Sequence, residues 1–107
     1  MADWTVFNVA KEFAECPGGR HKSDGPHSAE ELREDHLVPL LAKGRVEIRM
    51  DGVMGYPASF LEEAFGGLVR KLGVGVGDRI SFVAHDLPDA AQEARQFMDE
   101  QIERDRA

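Results

Sequence analysis

One stretch of the chain, residues 45–73, changes its hydrophobic period half-way and therefore constrains the fold more than any other. Val46, Ile48 and Met50 alternate with polar residues, which is typical of a strand with one buried face. After a break at residues 51–57, apolar side chains recur at the spacing of one helical face. These are Phe60, Leu61, Ala64, Phe65, Leu68, Val69 and Leu72. The stretch predicts a strand, a turn and an amphipathic helix that together form the core of the protein.

The turn and both ends of this helix carry their own signals. Asp51-Gly52 and Gly55-Tyr56-Pro57 interrupt the strand, because Gly and Pro disfavour a continuing ladder. Ser59 is predicted to be the N-cap, and Glu62 is predicted to reach back to it in a capping box. Gly73 is placed to end the helix in the left-handed conformation.

Two glycines, Gly66 and Gly67, lie inside the predicted helix, where each costs about 1 kcal/mol relative to Ala. One interpretation is close packing of the helix on the sheet or on a neighbouring helix. The other is a smooth face that admits a partner helix. The sequence leaves both open and favours packing.

Further strands are predicted on both sides of this unit. Residues 4–9 alternate aromatic and β-branched side chains with others and predict the first strand, and residues 79–84 predict a third. Residues 11–16 are ambiguous and predict either another strand or a turn. Residues 74–78 read as a flexible connection.

Two further helices are predicted. The first begins at Ser28, with Glu31 completing a capping box, and Pro39 should kink or end it. The second begins near Asp86, which can cap it, and carries an apolar stripe over five turns. Residues 103–107 are charged and are expected to fray.

Strands separated by helices imply parallel pairing. The alternation within residues 46–50 indicates a sheet covered mainly on one face, because doubly covered strands read as continuous apolar runs. The predicted fold is a two-layer α/β sheet of about four mostly parallel strands, with three main helices packed largely on one face. With 107 residues, the chain is expected to be a single domain over residues 1–107.

The charge pattern narrows the class of partner. The formal net charge is −7, and the 13 basic residues are scattered among 20 acidic ones. Nucleic acid and anionic membrane are therefore not expected as partners. The single cysteine, Cys16, permits no internal disulfide, and no signal peptide or membrane-spanning run is recognisable. A cytoplasmic protein is expected.

A glycine- and proline-rich loop spans residues 17–27. Its candidate anion- or ligand-binding residues are Gly18, Gly19, Arg20 and His21, because backbone amides and cationic side chains can cradle an anion. It is not a P-loop, since the Gly-Lys-Ser/Thr sequence is missing. The alternatives are a mobile, solvated loop, or a binder of a small anion or nucleotide, which could include an undetected enzyme.

Metal and nucleophile signals are weak. His21, His27, His36 and His85 show no metal-ligand spacing, and His36 lies on an apolar helix face, as a packed core histidine would. Cys16 beside Pro17 gives little support for a thiol–imidazole pair. We expect no metal, no cofactor, no catalytic residue and no enzymatic activity.

Two runs of sequence resemble the STAS-like family of unknown function, which is related to the sulfate-transporter and anti-sigma-factor-antagonist domain. The first is PGGR followed by DGPHSAEELRE, within residues 17–34. The second, DGVMGYPASFLEEAFGGLVRK over residues 51–71, contains the most specific part, Ser-Phe-Leu-Glu-Glu-Ala-Phe-Gly-Gly. The resemblance covers roughly residues 6–84. It implies a regulatory or interaction module with no settled catalytic activity.

In anti-sigma-factor antagonists, a serine at the start of the helix after the central strand is phosphorylated by an ATP-binding kinase partner. The resemblance therefore implies Ser59 as a phospho-acceptor, with Ala58, Tyr56 and Glu63 as further partner-binding candidates in the 51–59 loop and the helix 59–72. A kinase- or anti-sigma-like regulator is the implied partner. The alternative, which the sequence favours, is that Ser59 is only an N-cap. Self-association through a sheet edge or the Gly66–Gly67 face is a third possibility.

Overall fold

The protein forms a parallel three-stranded sheet in a computed structural model that describes residues 4–106. The strands are β1 (Trp4–Asn8), β2 (Arg45–Arg49) and β3 (Ile80–Val83), in the order β1-β2-β3. Both neighbouring pairs are parallel, so β2 is the central strand. Residues 1–3 and 107, the ends of the predicted domain, lie outside the described part.

The register gives the sheet one packed face and one open face. Phe7 pairs with Ile48, and Ile48 pairs with Phe82, so their side chains lie side by side on the packed face. On the opposite face, Trp4 is 38% and Val6 is 43% exposed. Sequence alternation in β2 predicted this arrangement, and the parallel α/β class is confirmed.

Three long helices and one short helix accompany the strands. Helix α1 is Val9–Glu12, and α4 is Pro88–Arg106. Helix α2 covers residues 29–41 as Ala29–Glu31, Leu32–Leu37 and Val38–Leu41, and α3 covers residues 58–72 as Ala58–Leu61, Glu62–Gly66 and Gly67–Leu72. The middle segment of α2 and of α3 is π-helical. Two 3₁₀ helices, Lys22–Asp24 and Val74–Arg79, lie in the connections.

The expected count of about four strands is wrong for the described residues, because α1 replaces a strand after β1. The Asn8 side chain accepts a hydrogen bond from the Lys11 backbone N–H, and Glu12 accepts one from the Asn8 N–H. These reciprocal bonds start a helix at Val9, so the chain turns away from the sheet before residues 11–16. The helices are also more numerous than the three that were predicted.

The connection before β3 is ordered, although a flexible one was predicted. Val76 is buried within the 3₁₀ segment, and Arg95 of α4 donates hydrogen bonds to the carbonyls of Gly77 and Ile80. Helix α4 also continues to Arg106, so residues 103–106 are helical where fraying was expected.

Helix α2 starts where predicted and continues past Pro39. The Ser28 hydroxyl accepts from the Glu31 N–H, as an N-cap does, but the Glu31 carboxylate accepts from the N–H of His27 and not of Ser28. The π segment ends at Leu37, directly before the α-helical turn that contains Pro39. The helix therefore changes register instead of breaking.

Helix α3 is the centre of the core. It contacts both α2 and α4, and its apolar stripe is buried: Phe60, Leu61, Ala64, Phe65, Leu68 and Val69. Phe65 meets Phe82 of β3 edge-to-face, with ring centroids 4.8 Å apart. His36 lies 5.6 Å from Phe7 and 5.5 Å from Phe13 between ring centroids, which confirms it as a packed histidine. None of the described helices is long and apolar enough to cross a membrane.

Candidate docking surface

The loop from Met50 to Pro57 leaves the carboxyl end of the central strand, which is where open parallel sheets usually carry their ligand sites. Gly52 adopts φ +86°, and a Cβ built there would lie 3.1 Å from the Ala10 Cβ. The Tyr56 hydroxyl donates to the Met50 carbonyl at 3.0 Å. The loop therefore folds back on the strand that precedes it.

The Asp51 carboxylate joins this loop to the one that follows β3. It accepts hydrogen bonds from the backbone N–H groups of His85 and Asp86, at 2.5 and 3.0 Å. Its second oxygen lies 2.9 Å from His85 Nδ1. In return, Asp86 accepts from the Gly52 N–H at 2.9 Å. We call these four residues the Asp51 latch.

The electrostatics of the latch follow from its donors. The His85 backbone N–H first, then the Asp86 N–H and the His85 ring, hold the pKa of the Asp51 carboxyl far below its usual range. Burial, with a smaller contribution from the charges of Asp86 and Asp51, raises the pKa of Tyr56. Tyr56 is therefore a neutral hydrogen-bond donor whose ring packs beside Phe60.

The prediction that Asp86 caps α4 is wrong. Its carboxylate accepts a hydrogen bond from the Gly52 N–H instead. The role of Asp51 and His85 as a latch was also missed. The Asp51-Gly52 pair signals a turn in the sequence, but its partner is 34 residues away, and local spacing carries no information on such a pair.

Ser59 is exposed and is not the N-cap of α3. The cap position belongs to Pro57, whose carbonyl accepts from the N–H groups of Phe60 and Leu61. Ser59 thus lies in the first turn, and among the described residues its hydroxyl has no protein hydrogen-bond partner. Ala58 beside it is exposed as well. The predicted Ser59–Glu62 capping box is wrong.

Met54 makes the same region apolar. Its side chain is 81% exposed, and its sulfur lies 3.2 Å from the Sγ of Cys16, which is also exposed. The Met54 N–H donates to the Glu15 carbonyl at 2.8 Å, so the backbone beneath the side chain is held. We define the docking surface as Met54, Pro57, Ala58 and Ser59, with Tyr56 behind them.

Glu62 and Glu63 point away from this surface into an ion-pair network. Arg20 Nη1 lies 2.8 Å from Glu62 and 3.3 Å from Glu63. Glu62 also pairs with Arg70 at 2.7 Å. Partial burial opposes ionisation, but hydrogen bonds from Arg70 and Arg20 win and lower the pKa of Glu62. The Glu63 side chain is only 16% exposed because it is ion-paired here, and its role as a partner-binding candidate stays a prediction.

Arg33 of α2 is the second cation of this network, and sequence reasoning missed it. Its Nη1 donates to the Glu63 backbone carbonyl at 2.7 Å and lies 3.0 Å from the Glu63 carboxylate. The carbonyl belongs to the π segment of α3. An Arg on a helix is normally a surface residue, so its position in the sequence gives no hint of this contact.

Gly67 leaves the space that Arg33 fills. A Cβ at Gly67 would lie 2.6 Å from Arg33 Nη1, and one at Gly66 would lie 2.9 Å from a Glu62 carboxylate oxygen. The packing interpretation is therefore confirmed for Gly67, whose packing partner is Arg33 of the neighbouring helix, whereas Gly66 faces side chains of its own helix, Glu62 and Arg70.

The 17–27 loop uses its proposed anion-binding groups internally. Asp24 accepts from the N–H groups of Arg20 and His21, and the Gly18 N–H donates to the His27 carbonyl. The Gly19 carbonyl accepts from the Ala29 N–H, which ties the loop to α2. The Arg20 side chain is bound to α3. The loop is thus a clasp between two helices and not a mobile segment.

No three side chains of His, Cys, Asp or Glu among residues 4–106 are grouped so that they could hold a metal ion. His21 and His27 lie in the 17–27 loop and His36 lies in α2, whereas His85 lies beyond β3 in the latch.

The fold places a helix after the central parallel strand, with an exposed turn at the carboxyl end of that strand. The family model described as "STAS-like domain of unknown function (DUF4325)" matches residues 28–90, and the chain belongs to this family. Comparison with curated proteins and comparison with solved structures each found no significant match. The match extends from the cap of α2 into the start of α4 and includes the docking surface.

Proposed function

We propose that the chain is a non-enzymatic regulatory module that docks a protein partner through the 51–59 loop and the first turn of α3. The observation that carries the proposal is the exposed Ser59, which performs no capping role, beside the 81% exposed Met54. Exposed apolar side chains on a held backbone are typical of interaction sites. The remaining length of α3 is buried or ion-paired, so the docking surface is narrower than the predicted 59–72 helix.

Phosphorylation of Ser59 is the proposed switch. The carbonyl of Pro57 engages the N–H groups of Phe60 and Leu61, and the earlier N–H groups of the first turn have no described acceptor. A phosphate on Ser59 would add about −1.5 to −2 charges beside these amides, where the helix dipole favours an anion. The added charge would change the docking surface while the fold is retained. An ATP-binding kinase or anti-sigma-like regulator is the proposed partner.

The experiment is affinity capture from the native cytoplasm with intact-mass analysis of the captured chain. Wild type is compared with Ser59→Asp and with the matched control Ser23→Asp, which places the same charge on another exposed serine. We expect Ser59→Asp to lose a stoichiometric partner, with no change for Ser23→Asp. A mass increase of one phosphate that Ser59→Ala abolishes would establish the switch.

The outcomes separate the two parts of the proposal. If all variants retain the partner equally, the proposal that Ser59 is a switch is refuted, and the proposal of an interaction module stands. A partner lost equally from Ser59→Asp and Ser23→Asp would contradict docking at this surface. Unfolding curves of each variant serve as the control for folding, and we expect them to be nearly unchanged, since both serines are exposed.

The structure gives little support for the alternative, an anion or nucleotide site at residues 17–27. Arg20 and the N–H groups of Arg20 and His21 already bind carboxylates. An incoming anion would have to displace these contacts. We therefore keep the loop as a structural clasp in the proposal.

A further inference from the structure

A groove of about 300 Å³ opens beside the docking surface, between the 50–57 loop and the start of α4. Tyr56, Leu87 and Ala90 contribute apolar surface to it, and all three are at least partly buried. Asp86, Asp89 and Glu93 contribute carboxylates, and these residues are exposed. The groove therefore combines an apolar lining with a negatively charged rim.

The groove is preformed. Its two walls are the loops that the Asp51 latch joins, and the Tyr56 hydroxyl is bound to the Met50 carbonyl at 3.0 Å. A ligand that enters would not have to order either wall. Preorganisation of this kind reduces the entropy cost of binding.

Several acidic side chains elsewhere in the fold are paired with basic ones. Glu34, Glu47, Glu62 and Glu63 each lie within 4 Å of a Lys or Arg. Within the part of the chain that the structure describes, neither Asp89 nor Glu93 has such a neighbour. Their position four residues apart puts them on one face of α4. The negative charge at the groove is thus available to an external cation.

We propose that this groove binds a segment of the partner protein that carries Lys or Arg residues next to an apolar anchor. The proposal rests on the proposed function, since it names the chemistry of the partner that meets the docking surface. The apolar lining accepts the anchor, and the rim carboxylates pair with the basic side chains. Charge complementarity favours such a segment over a second copy of this chain, whose net charge is −7.

The test selects ligands without knowing the partner. A library of random peptides displayed on phage is selected on the immobilised full chain, and dissociation constants of synthetic copies are measured by fluorescence anisotropy. We expect selected peptides to combine Lys or Arg with Leu, Phe, Trp or Tyr. Binding should weaken as salt is raised, because the rim is exposed.

Two variants with the same change in charge locate the binding. Asp89→Lys/Glu93→Lys reverses the rim, whereas Asp99→Lys/Glu103→Lys reverses exposed acidic residues further along α4. We expect the rim variant to raise the dissociation constant about tenfold or more, because two exposed charge pairs are replaced by repulsion. The distal variant should change it by less than about threefold.

Several results would overturn the inference: acidic or neutral selected peptides, no enrichment over an empty support, or equal losses for the two variants. Loss of self-association in the rim variant, seen by sedimentation, would also overturn it, because the occupant would then be a second copy. A native partner that is lost on Ser59→Asp but retained by Asp89→Lys/Glu93→Lys would leave the proposed function intact and refute only the groove.

Discussion

Arg33 shows how one side chain sets the approach of two helices. It is 13% exposed, and it binds a backbone carbonyl and a carboxylate of α3 at the same time. The π segment of α3 presents that carbonyl, and Gly67 leaves room for the guanidinium. A planar group with several fixed donors suits this position, and a Lys could not make both contacts with the same geometry.

Gly67→Ala should destabilise the protein, although Gly→Ala in a helix normally stabilises it by about 1 kcal/mol. The new methyl would displace the Arg33 guanidinium, and hydrogen bonds of a charged group are worth roughly 1.5–3 kcal/mol. We expect a net loss of about 1 kcal/mol in the free energy of unfolding, measured by urea denaturation.

The control for this prediction is the Arg33→Ala background. There the three atoms nearest to the methyl are absent, because all belong to the Arg33 side chain, and Gly67→Ala should become stabilising by about 1 kcal/mol. If Gly67→Ala changes the free energy of unfolding with the same sign in both backgrounds, the Arg33 side chain is not what requires a glycine at this position.

At the scale of elements, the 17–27 loop acts as a clasp because it touches both α2 and α3. Its carbonyls at Gly19 and Arg20 accept from the first N–H groups of α2, and its arginine reaches α3. Free N–H groups at a helix start need acceptors, and the loop supplies them through its backbone. The loop's length is therefore explained by structure without a ligand.

Arg20→Ala should lower the free energy of unfolding by about 0.5–1 kcal/mol, since the pair with Glu62 and Glu63 is partly exposed. Lys22→Ala is the matched control: the two side chains of its pair with Asp35 are 49% and 50% exposed, so its loss should have little effect on the free energy of unfolding. Thermal unfolding in inorganic phosphate extends the test. A rise in Tm for wild type that Arg20→Ala abolishes would restore the anion-site hypothesis.

On the scale of the whole molecule, charge is distributed unevenly. Basic residues pair with carboxylates around α2 and α3, while α4 carries exposed acidic residues along its outer face: Asp89, Glu93, Asp99, Glu100 and Glu103. Of these five, only Asp89 and Glu93 lie beside the proposed docking region, at the start of the helix. The open face of the sheet, with Trp4 under the Arg45 guanidinium, lies apart from it.

Acid should destabilise the protein through its bound carboxylates. The pKa values of Asp51, Glu34 and Glu62 are lowered in the folded state, so the unfolded chain binds more protons as pH falls. Stability should be fully present above about pH 5 and decline through the ordinary carboxyl range near pH 4 and below. Urea denaturation at several pH values measures the slope. Asp51→Asn should make the decline shallower, and an unchanged slope would contradict a latch held by ionised Asp51.

The residues alone determined the strand–turn–helix unit and the parallel α/β class, since hydrophobic period reports which face of an element is buried. The alternation of Val46, Ile48 and Met50 and the stripe of α3 are local patterns, and both were read correctly. The family followed from the run that begins at Ser59. The capping boxes were less predictable, because a carboxylate can bind either a nearby N–H or a distant cation. Glu62 binds the cations Arg20 and Arg70.

Only the tertiary structure decided which side chains meet. Three features join elements that are distant in the chain: the Asp51 latch, the Arg33–Glu63 contact and the groove beside Tyr56. The local spacing of residues in the sequence does not indicate such pairs. The structure also shows that Pro57 and not Ser59 is the N-cap of α3, and that Glu63 is ion-paired. The physical reason is the same in each case: a polar group binds whichever partner the folded chain brings within reach.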